Sequence, residues 1–581
     1  MKKILFTFNL LLLSLFISFN VNSQTVNIKI IETSDIHGHI FPYDFVNDTA
    51  LHASQAQVSE YVKQERAKKN QEVVLLDNGD ILQGQPLVYY YNFEKIDTTH
   101  ICSRVMNYMK YDAATVGNHD IEPGHQVYDK IKRELNFPWM AANAVDNKTN
   151  KPYFQPYTII SRRGVKIAVL GMITPGIPYW LPENIWEGIT FNDMIESSKK
   201  WVKIINEKEH PDILIGLFHS GVDYTYGNET ADTYRNENAS KLVAQRVSGF
   251  DVIFAGHDHH KYNMKIRNQN GEDVILMDPA RHADYVSVAN ITLKYDSLTN
   301  EYDKTVEGEL VDIKNYKPDA EFIEKFKSDY NEVKNYVSKP IGVFTKTIST
   351  RDALFGNSSF VDLIQNIQLG LTKADISFAA PLLFDAKINK GEVYVRDMFK
   401  LYKFENLLYT MELSGTEVKN YLEFSYDNWF NQMKDENDNL LKFRTDSTGE
   451  ITNRLANSFY NFSSAAGIKY TVDVLKPAGE KINIISMSDG SAFDLNKKYK
   501  IAINSYRGNG GGGHLITGAK ISEKELPTRI ITSTQKDLRY FLMKWIEKNK
   551  IITPKKLNNW TVFPQEWWEK GKAKDYEILY K

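Results

Sequence analysis

The sequence predicts an α/β protein of two domains, an N-terminal α-β-β-α sandwich followed by a C-terminal α+β domain. Three observations carry that expectation. From Val26 to about Asp312, short Val/Ile/Leu runs alternate with charged segments of helix length, the pattern of a layered α/β architecture. Five of those runs lead into Asp, Asn or His. Beyond them an amphipathic stretch, Lys317 to Ser338, separates this region from a second one of different pattern.

The chain opens with Lys2-Lys3, an apolar run from Ile4 to Phe19, and Val21-Asn22-Ser23 with small residues placed for cleavage before Gln24. That is the arrangement of a secretory signal peptide, expected over residues 1–23. The run is short for a full membrane span, so cleavage is expected over retention as an anchor, and no later stretch reaches the ~20 apolar residues a span needs. Cys102 is the only cysteine, which excludes a lipid anchor after the leader, intramolecular disulfides and zinc sites built on several thiolates. The expected location is periplasmic or secreted. Lys+Arg 71 against Asp+Glu 73 leaves no basic surface for a nucleic-acid polymer. Nothing in the sequence signals an oligomeric state.

Six apolar runs are expected as strands, and the residues just beyond each are informative. Val26–Ile31 leads to Asp35-Ile-His37, Val73–Leu76 to Asp77-Asn-Gly-Asp80, and Ala113–Val116 to Gly117-Asn118-His119-Asp120. Ile213–Phe218 leads to His219, and Asp251–Ala255 to Gly256-His257-Asp258-His259. The sixth run, Lys166–Met172, ends in Ile173-Thr174-Pro175 and offers no such group. In open α/β sheets the carboxyl ends of the strands form the ligand crevice, so these ends should converge. Seven of the 13 histidines lie in the motifs, His39 and His260 among them without a clear task. Any one motif alone is matched as well by an ordinary turn residue after a strand. Five in succession are not. Carboxylates, imidazoles and one amide make an N/O site suited to two divalent cations, zinc, manganese, iron or cobalt, held ~3.5–4 Å apart by a bridging carboxylate.

Within Lys317–Ser338, Phe322, Phe326, Tyr330, Val333 and Tyr336 recur at helical spacing, and Pro340 ends the pattern. This single helix is expected as the connector and hinge neighbourhood, giving domains over 24–316 and 340–581 with a linker over 317–339. The second domain continues with a helical pattern at Phe360–Thr372, a segment Leu413–Phe424 and a β-rich end. Tyr506-Arg-Gly-Asn-Gly-Gly-Gly-Gly-His514 sets an aromatic beside four glycines, where backbone N–H groups can approach a ligand. No Gly-Lys-[Ser/Thr] comes after it, so it is not a phosphate P-loop.

Taken together, Asp-x-His, Gly-Asp, Gly-Asn-His-Asp, His-Ser-Gly and Gly-His-x-His resemble the calcineurin-like metallophosphoesterases. The whole pattern, from about Val26 to Pro564, resembles the two-domain 5'-nucleotidase family, which includes 2',3'-cyclic-nucleotide 2'-phosphodiesterase/3'-nucleotidases. The resemblance implies that Asp35, His37, Asp80 and His259 hold one metal, and that Asp80 as a bridge, Asn118, His219 and His257 hold the other. It implies His119 as the catalytic histidine, Glu122 as its acidic partner, and Tyr460 and Tyr506 as aromatics that sandwich the nucleobase. The sequence departs from the family at His259, where Gln is frequent, and at Glu122, where Asp is frequent. Asn504-Ser-Tyr-Arg-Gly-Asn-Gly-Gly, Ala379-Ala-Pro-Leu, Tyr402-x-Phe-x-Asn406, Trp429-Phe-Asn-Gln432 and Asn558-Asn-Trp560 favour the cyclic-phosphodiesterase branch, and no arginine cluster appears around Pro381–Asp385. The expected activity is hydrolysis of nucleotides, with 5'-nucleotidase or UDP-sugar hydrolase as the alternative and a non-catalytic nucleotide-binding protein as the remote one.

Overall fold

Both faces of the N-terminal strands are covered, which is why they read as continuous apolar runs. The computed structural model describes residues 25–296 and 301–581; the leader expected over 1–23 lies outside the described residues. Thr25–Thr33, Glu72–Asp77, Ala113–Thr115 and Trp139–Met140 pair in parallel, with Tyr285–Asp296 and Glu301–Asp312 as an antiparallel flank. In the second sheet Val165–Ile173, Ile213–His219, Val252–Ala255 and Asp273–Pro279 are parallel, with antiparallel strands at either edge. Ile28, Ile30, Val74 and Leu76 of the first sheet meet Ile167, Val169, Ile215 and Phe254 of the second. The helices Gln55–Arg66, Ile101–Met109 and His125–Glu134 cover the first sheet, and Met194–Glu209 and Ser240–Arg246 the second. This is the α-β-β-α sandwich that the sequence predicts.

Parallel register brings the carboxyl ends level. Thr33 lies opposite Asp77, Asp77 opposite Ala114, and Phe218 opposite Ala255. The strand without a ligand motif serves its neighbour instead, since the Thr174 N–H donates to the His219 carbonyl at 2.7 Å.

The stretch expected as one linker helix is two, Ala320–Lys325 and Lys327–Val337, broken at Phe326 with φ −105° and ψ 12°. Burial decides this: the Phe326 ring sits 5.0 Å from Phe322 and 5.6 Å from Tyr108, and holding it there turns the chain out of helical geometry. Phe322, Phe326, Val333 and Val337 are all in the N-terminal core, so the segment is docked on that domain.

The C-terminal domain is built on a five-stranded sheet in the order Ser464–Ala466, Ile376–Ala379, Lys498–Asn504, Leu407–Ser414, Ile530–Asp537. Gly415–Trp429 packs on one face, and Ser359–Thr372 and Leu538–Asn549 on the other. The end expected to be β-rich closes in the helix Gln565–Tyr580. Gly571 disfavours a helix there by about 1 kcal/mol, but it lies buried against Leu440, and Trp567, Trp568 and Tyr576 pack on the core beside it. The two domains touch where Tyr89 enters the C-terminal core, edge-on to Phe399 at 5.4 Å. Among the described residues no helix is long and apolar enough to cross a membrane.

Candidate metal centre

All seven residues expected as ligands meet at the carboxyl ends of the strands. Asp35, His37, Asp80 and His259 each bring one ligand atom within 4.8 Å of the others. His37 Nε2 is 3.0 Å from His259 Nε2, and His259 Nε2 is 3.1 Å from Asp35 Oδ1. Beside this group, Asn118 Oδ1 lies 3.1 Å from His219 Nε2 and 2.8 Å from His257 Nδ1. Asp80 Oδ2 stands between the two sets, 3.2 Å from His219 Nε2 and 3.9 Å from His37 Nε2. Ligands ~2.1 Å from a tetrahedral ion lie about 3.4 Å apart, so these spacings suit donor atoms converging on cations.

The hydrogen bonds make the same point by what they leave out. Asp35 Oδ2 accepts from Ser34 Oγ at 2.5 Å and from the His257 N–H at 3.1 Å, whereas Oδ1 is buried with the His259 imidazole beside it, at 3.1 Å. Asp80 Oδ1 accepts the His119 N–H at 2.8 Å, whereas Oδ2 is buried with only the His219 and His37 imidazoles beside it. Buried carboxylate oxygens are ordinarily satisfied by donors, so two that meet only potential ligand imidazoles mark a place for positive charge. Ring orientation is set from behind: His37 Nδ1 meets the Gln83 carbonyl at 3.2 Å and His219 Nδ1 the Asn78 carbonyl at 2.6 Å. That leaves both Nε2 lone pairs facing the centre, the usual outer support of a metal-ligating imidazole.

Electrostatics agree. Burial opposes charge on Asp35 and Asp80, yet His219 pulls both carboxyls below their ordinary range. His219 itself, despite burial, is raised to about 10 by Asp80 and Asp35. His257 is pushed down to about 3, first by burial and then by the neighbouring His219.

The backbone is strained to achieve this. Asp35, His37, Asp80, His257 and His259 all have φ between 48° and 78°, a left-handed region costly to residues with a Cβ and concentrated at functional sites. Two glycines admit the side chains: a Cβ on Gly117 would collide with Asp80 Oδ1, and one on Gly256 with Ser34 Oγ and Asp35. Gly256→Ala is therefore expected to fold, since the residue lies just past the strand Val252–Ala255 and its added Cβ meets side chains only, but to lose metal. Elemental analysis beside circular dichroism checks this; full metal content would show that the Asp35 carboxyl has room to shift.

His119 lies next to this centre and not within it, its Nδ1 2.5 Å from Glu122 Oε2. Burial disfavours its charge, but Asp80 and Glu122 raise it to about 9. His39 stacks on His282 at 4.0 Å and His260 is exposed beside Asp258, so neither enters the ligand sets.

Several supporting residues escape a reading of motifs. Asp120 accepts the N–H groups of Asp80, Ile81, Leu82 and Gly117 at 2.8–3.0 Å, pinning the loop that carries Asp80. Its place directly after His119 is a usable signal. Trp180 stacks on His257 at 5.3 Å, and its helix Ile177–Trp180 packs against Ser505–Gly508, which carries Tyr506. Nothing in the local sequence announces that link between domains. Arg281 places Nη1 3.4 Å from His259 Nδ1 and has no carboxylate partner among the described residues.

In the C-terminal domain Tyr460 and Tyr506 lie on separate segments, Phe459–Asn461 and Ser505–Gly508, joined by Arg507. Arg507 donates to the Tyr460 carbonyl at 3.0 Å, to Asn461 Oδ1 at 3.2 Å and to the Gly511 carbonyl at 2.6 Å. A Cβ on Gly512 would collide with the Arg507 guanidinium and Asn461. The glycine run thus makes room for this brace, where the sequence suggests only a close approach to ligand. Burial raises the Tyr506 hydroxyl to about 12.

Fold and site define a metallophosphoesterase with a second, nucleotidase-type domain. Residues 28–261 match the calcineurin-like phosphoesterases, and residues 340–519 match the C-terminal domain of the 5'-nucleotidases. A 2',3'-cyclic-nucleotide 2'-phosphodiesterase/3'-nucleotidase of Salmonella typhimurium is 27% identical, across 96% of this chain and 92% of that protein. The trifunctional nucleotide phosphoesterase YfkN of Bacillus subtilis is 26% identical over 93% of this chain, which spans 39% of that longer relative. The crystal structure of a 5'-nucleotidase precursor from Thermus thermophilus superposes with a TM-score of 0.62 at 19% identity, covering 93% of this chain and 100% of that one. The chain belongs to the two-domain 5'-nucleotidase family of calcineurin-like phosphoesterases. It is a metal-dependent phosphoric ester hydrolase, and nucleotides are the substrates that suit its family.

Proposed function

We propose that this protein is an exported dinuclear phosphoesterase that opens 2',3'-cyclic nucleotides to 3'-nucleotides and then releases nucleoside and phosphate. Asp80 Oδ2, buried between His37 of one ligand set and His219 of the other, supports the dinuclear reading. Asp35, His37, Asp80 and His259 take one cation, and Asp80, Asn118, His219 and His257 the other. Two such ions, when bound, polarise the phosphoryl group and acidify a water between them. Asn118 also faces the substrate phosphate. His119, charged near neutral pH, donates its Nε2 proton to the leaving ribose oxygen, while Glu122 holds Nδ1. Water adds at phosphorus as the P–O2' bond breaks and His119 protonates O2', the proton given up by the water restoring His119; a second water then cleaves the P–O3' bond, with O3' protonated in the same way. Domains over 24–316 and 340–581 supply phosphate chemistry and base binding respectively, and cleavage after residue 23 delivers the chain to the periplasm or exterior.

The cyclic substrate is favoured over a 5'-nucleotide by Arg351, which lies beside the Pro381–Asp385 segment. Its guanidinium is engaged by both Asp385 oxygens at 2.6 and 2.7 Å and stacks 4.4 Å from the Tyr580 ring, so it is not free to grip a phosphate. Phosphate release by metal-reconstituted protein from 2',3'-cyclic, 3'- and 5'-nucleotides tests the assignment; a clear preference for 5'-monoesters would replace it with the 5'-nucleotidase reading.

Tyr460 and Tyr506 stack on the base. Stacking on an aromatic contributes ~1–3 kcal/mol per base, so Tyr506→Ala should raise KM for nucleotides about 5- to 160-fold. Hydrolysis of a small aryl phosphodiester should change much less. Equal losses on both substrates would assign Tyr506 to the core or the metal centre.

A further inference from the structure

Between the two domains, beside the Glu122 that holds His119, lies a cavity of about 30 Å³. Glu122, Leu181 and Ile185 line it from the N-terminal domain, and Glu405, Asn406 and Ser505 from the C-terminal domain. Glu405 is buried, and its Oε1 accepts from Arg539 Nη1 at 3.2 Å, but its Oε2 has no partner. Arg539 is itself held firmly. It donates to the carbonyls of Tyr402 and Lys403 and lies 4.1 Å from the Phe399 ring and 4.8 Å from Tyr89 of the other domain. Across the cavity Glu122 commits Oε2 to His119.

Two carboxyl groups therefore face one small space that no Lys or Arg side chain lines. Burial pushes Glu405 up to about 8, against the pull of Arg539 and with the added repulsion of Glu122. A polar cavity above ~10–15 Å³ holds a water, and one water can bridge the pair, accepting from the protonated Glu405 Oε2 and donating to the Glu122 carboxyl. That satisfies the orphaned Oε2 and fixes the free side of Glu122 at once.

We propose that Glu405 is a positioning residue for the catalytic acid: through a water in this cavity it holds the Glu122 carboxyl against His119 Nδ1. The base-binding domain thereby completes the acid machinery of the metal domain. The inference rests on His119 acting as the acid, as proposed above. A Glu405–Arg539 pair that merely braced the interface would affect stability and domain arrangement without passing through Glu122.

A double-mutant cycle in the metal-reconstituted full chain separates these. Glu405→Leu should lower kcat ~10-fold or more, with KM and metal content unchanged, and Glu405→Gln, which keeps a donor and an acceptor, should restore most of it. In a Glu122→Gln background, Glu405→Leu should cost less than about twofold more, because its route to His119 is already cut. Multiplicative losses in the double variant, a loss confined to KM or metal content, or unchanged kcat in Glu405→Leu would overturn the proposal. Should Glu405→Leu not fold, Glu405→Asp takes its place in the same cycle: one methylene too short to reach the water, it should lose kcat in the wild-type background only. His119→Asn is measured alongside. Full activity there would overturn the acid assignment and the inference with it, whereas an inactive His119→Asn with a multiplicative cycle overturns only the role of Glu405.

Discussion

Asp80→Ala is expected to abolish phosphate release and to leave the purified protein without its full complement of metal. Asp80 Oδ2 lies between His37 and His219 and has no other partner, so removing it takes one ligand from each cation set. An isolated ligand loss weakens one site; loss of a bridge weakens both and removes the spacing of ~3.5–4 Å that two-ion chemistry needs. The fold should survive, because Asp120 binds the backbone N–H groups of residues 80–82 whatever side chain stands at 80. Elemental analysis of the variant beside its activity decides the matter: two tightly held ions per chain would mean that Asp80 does not bridge.

His119→Asn should retain both ions and lower kcat by ~10²–10⁴, the range for a positioned acid-base group. The geometry separates its two functions. Its backbone N–H anchors Asp80 Oδ1, a bond that Asn preserves, while its imidazole holds Glu122 through Nδ1 beside the His37 ring. Glu122→Gln should cost less, since the amide still accepts from Nδ1 but no longer favours the charged ring. Metal analysis with single-turnover rates is the measurement. An apo His119→Asn protein would make His119 a ligand, and a fully active one would remove it from the chemistry.

Much of this site is legible in the sequence because strand chemistry is local. Runs such as Val73–Leu76 and Ile213–Phe218 identify themselves by apolar β-prone residues, and parallel pairing obliges the residues at their carboxyl ends to gather on one edge. The ligand candidates can be found that way, whereas the roles of His119 and of Glu122 three residues on come from the family resemblance. The same logic fails at the connector, which is two helices and not the one expected. Phe326 keeps helical spacing, but its ring is buried between Phe322 and Tyr108, and that packing overrides the local preference.

The sequence alone determined the class of chemistry, since it needs only which side chains succeed which strands. Tertiary structure decided which oxygen of Asp35 and of Asp80 meets the ligand imidazoles, how Trp180 ties His257 to the helix of Tyr506, and why Arg507 needs Gly512. It also brought Glu405 opposite Glu122 across a domain boundary. Nearly all of these are contacts between residues tens to hundreds of positions apart. Hydrogen-bond satisfaction and close packing are properties of the assembled interior, and no local pattern encodes them.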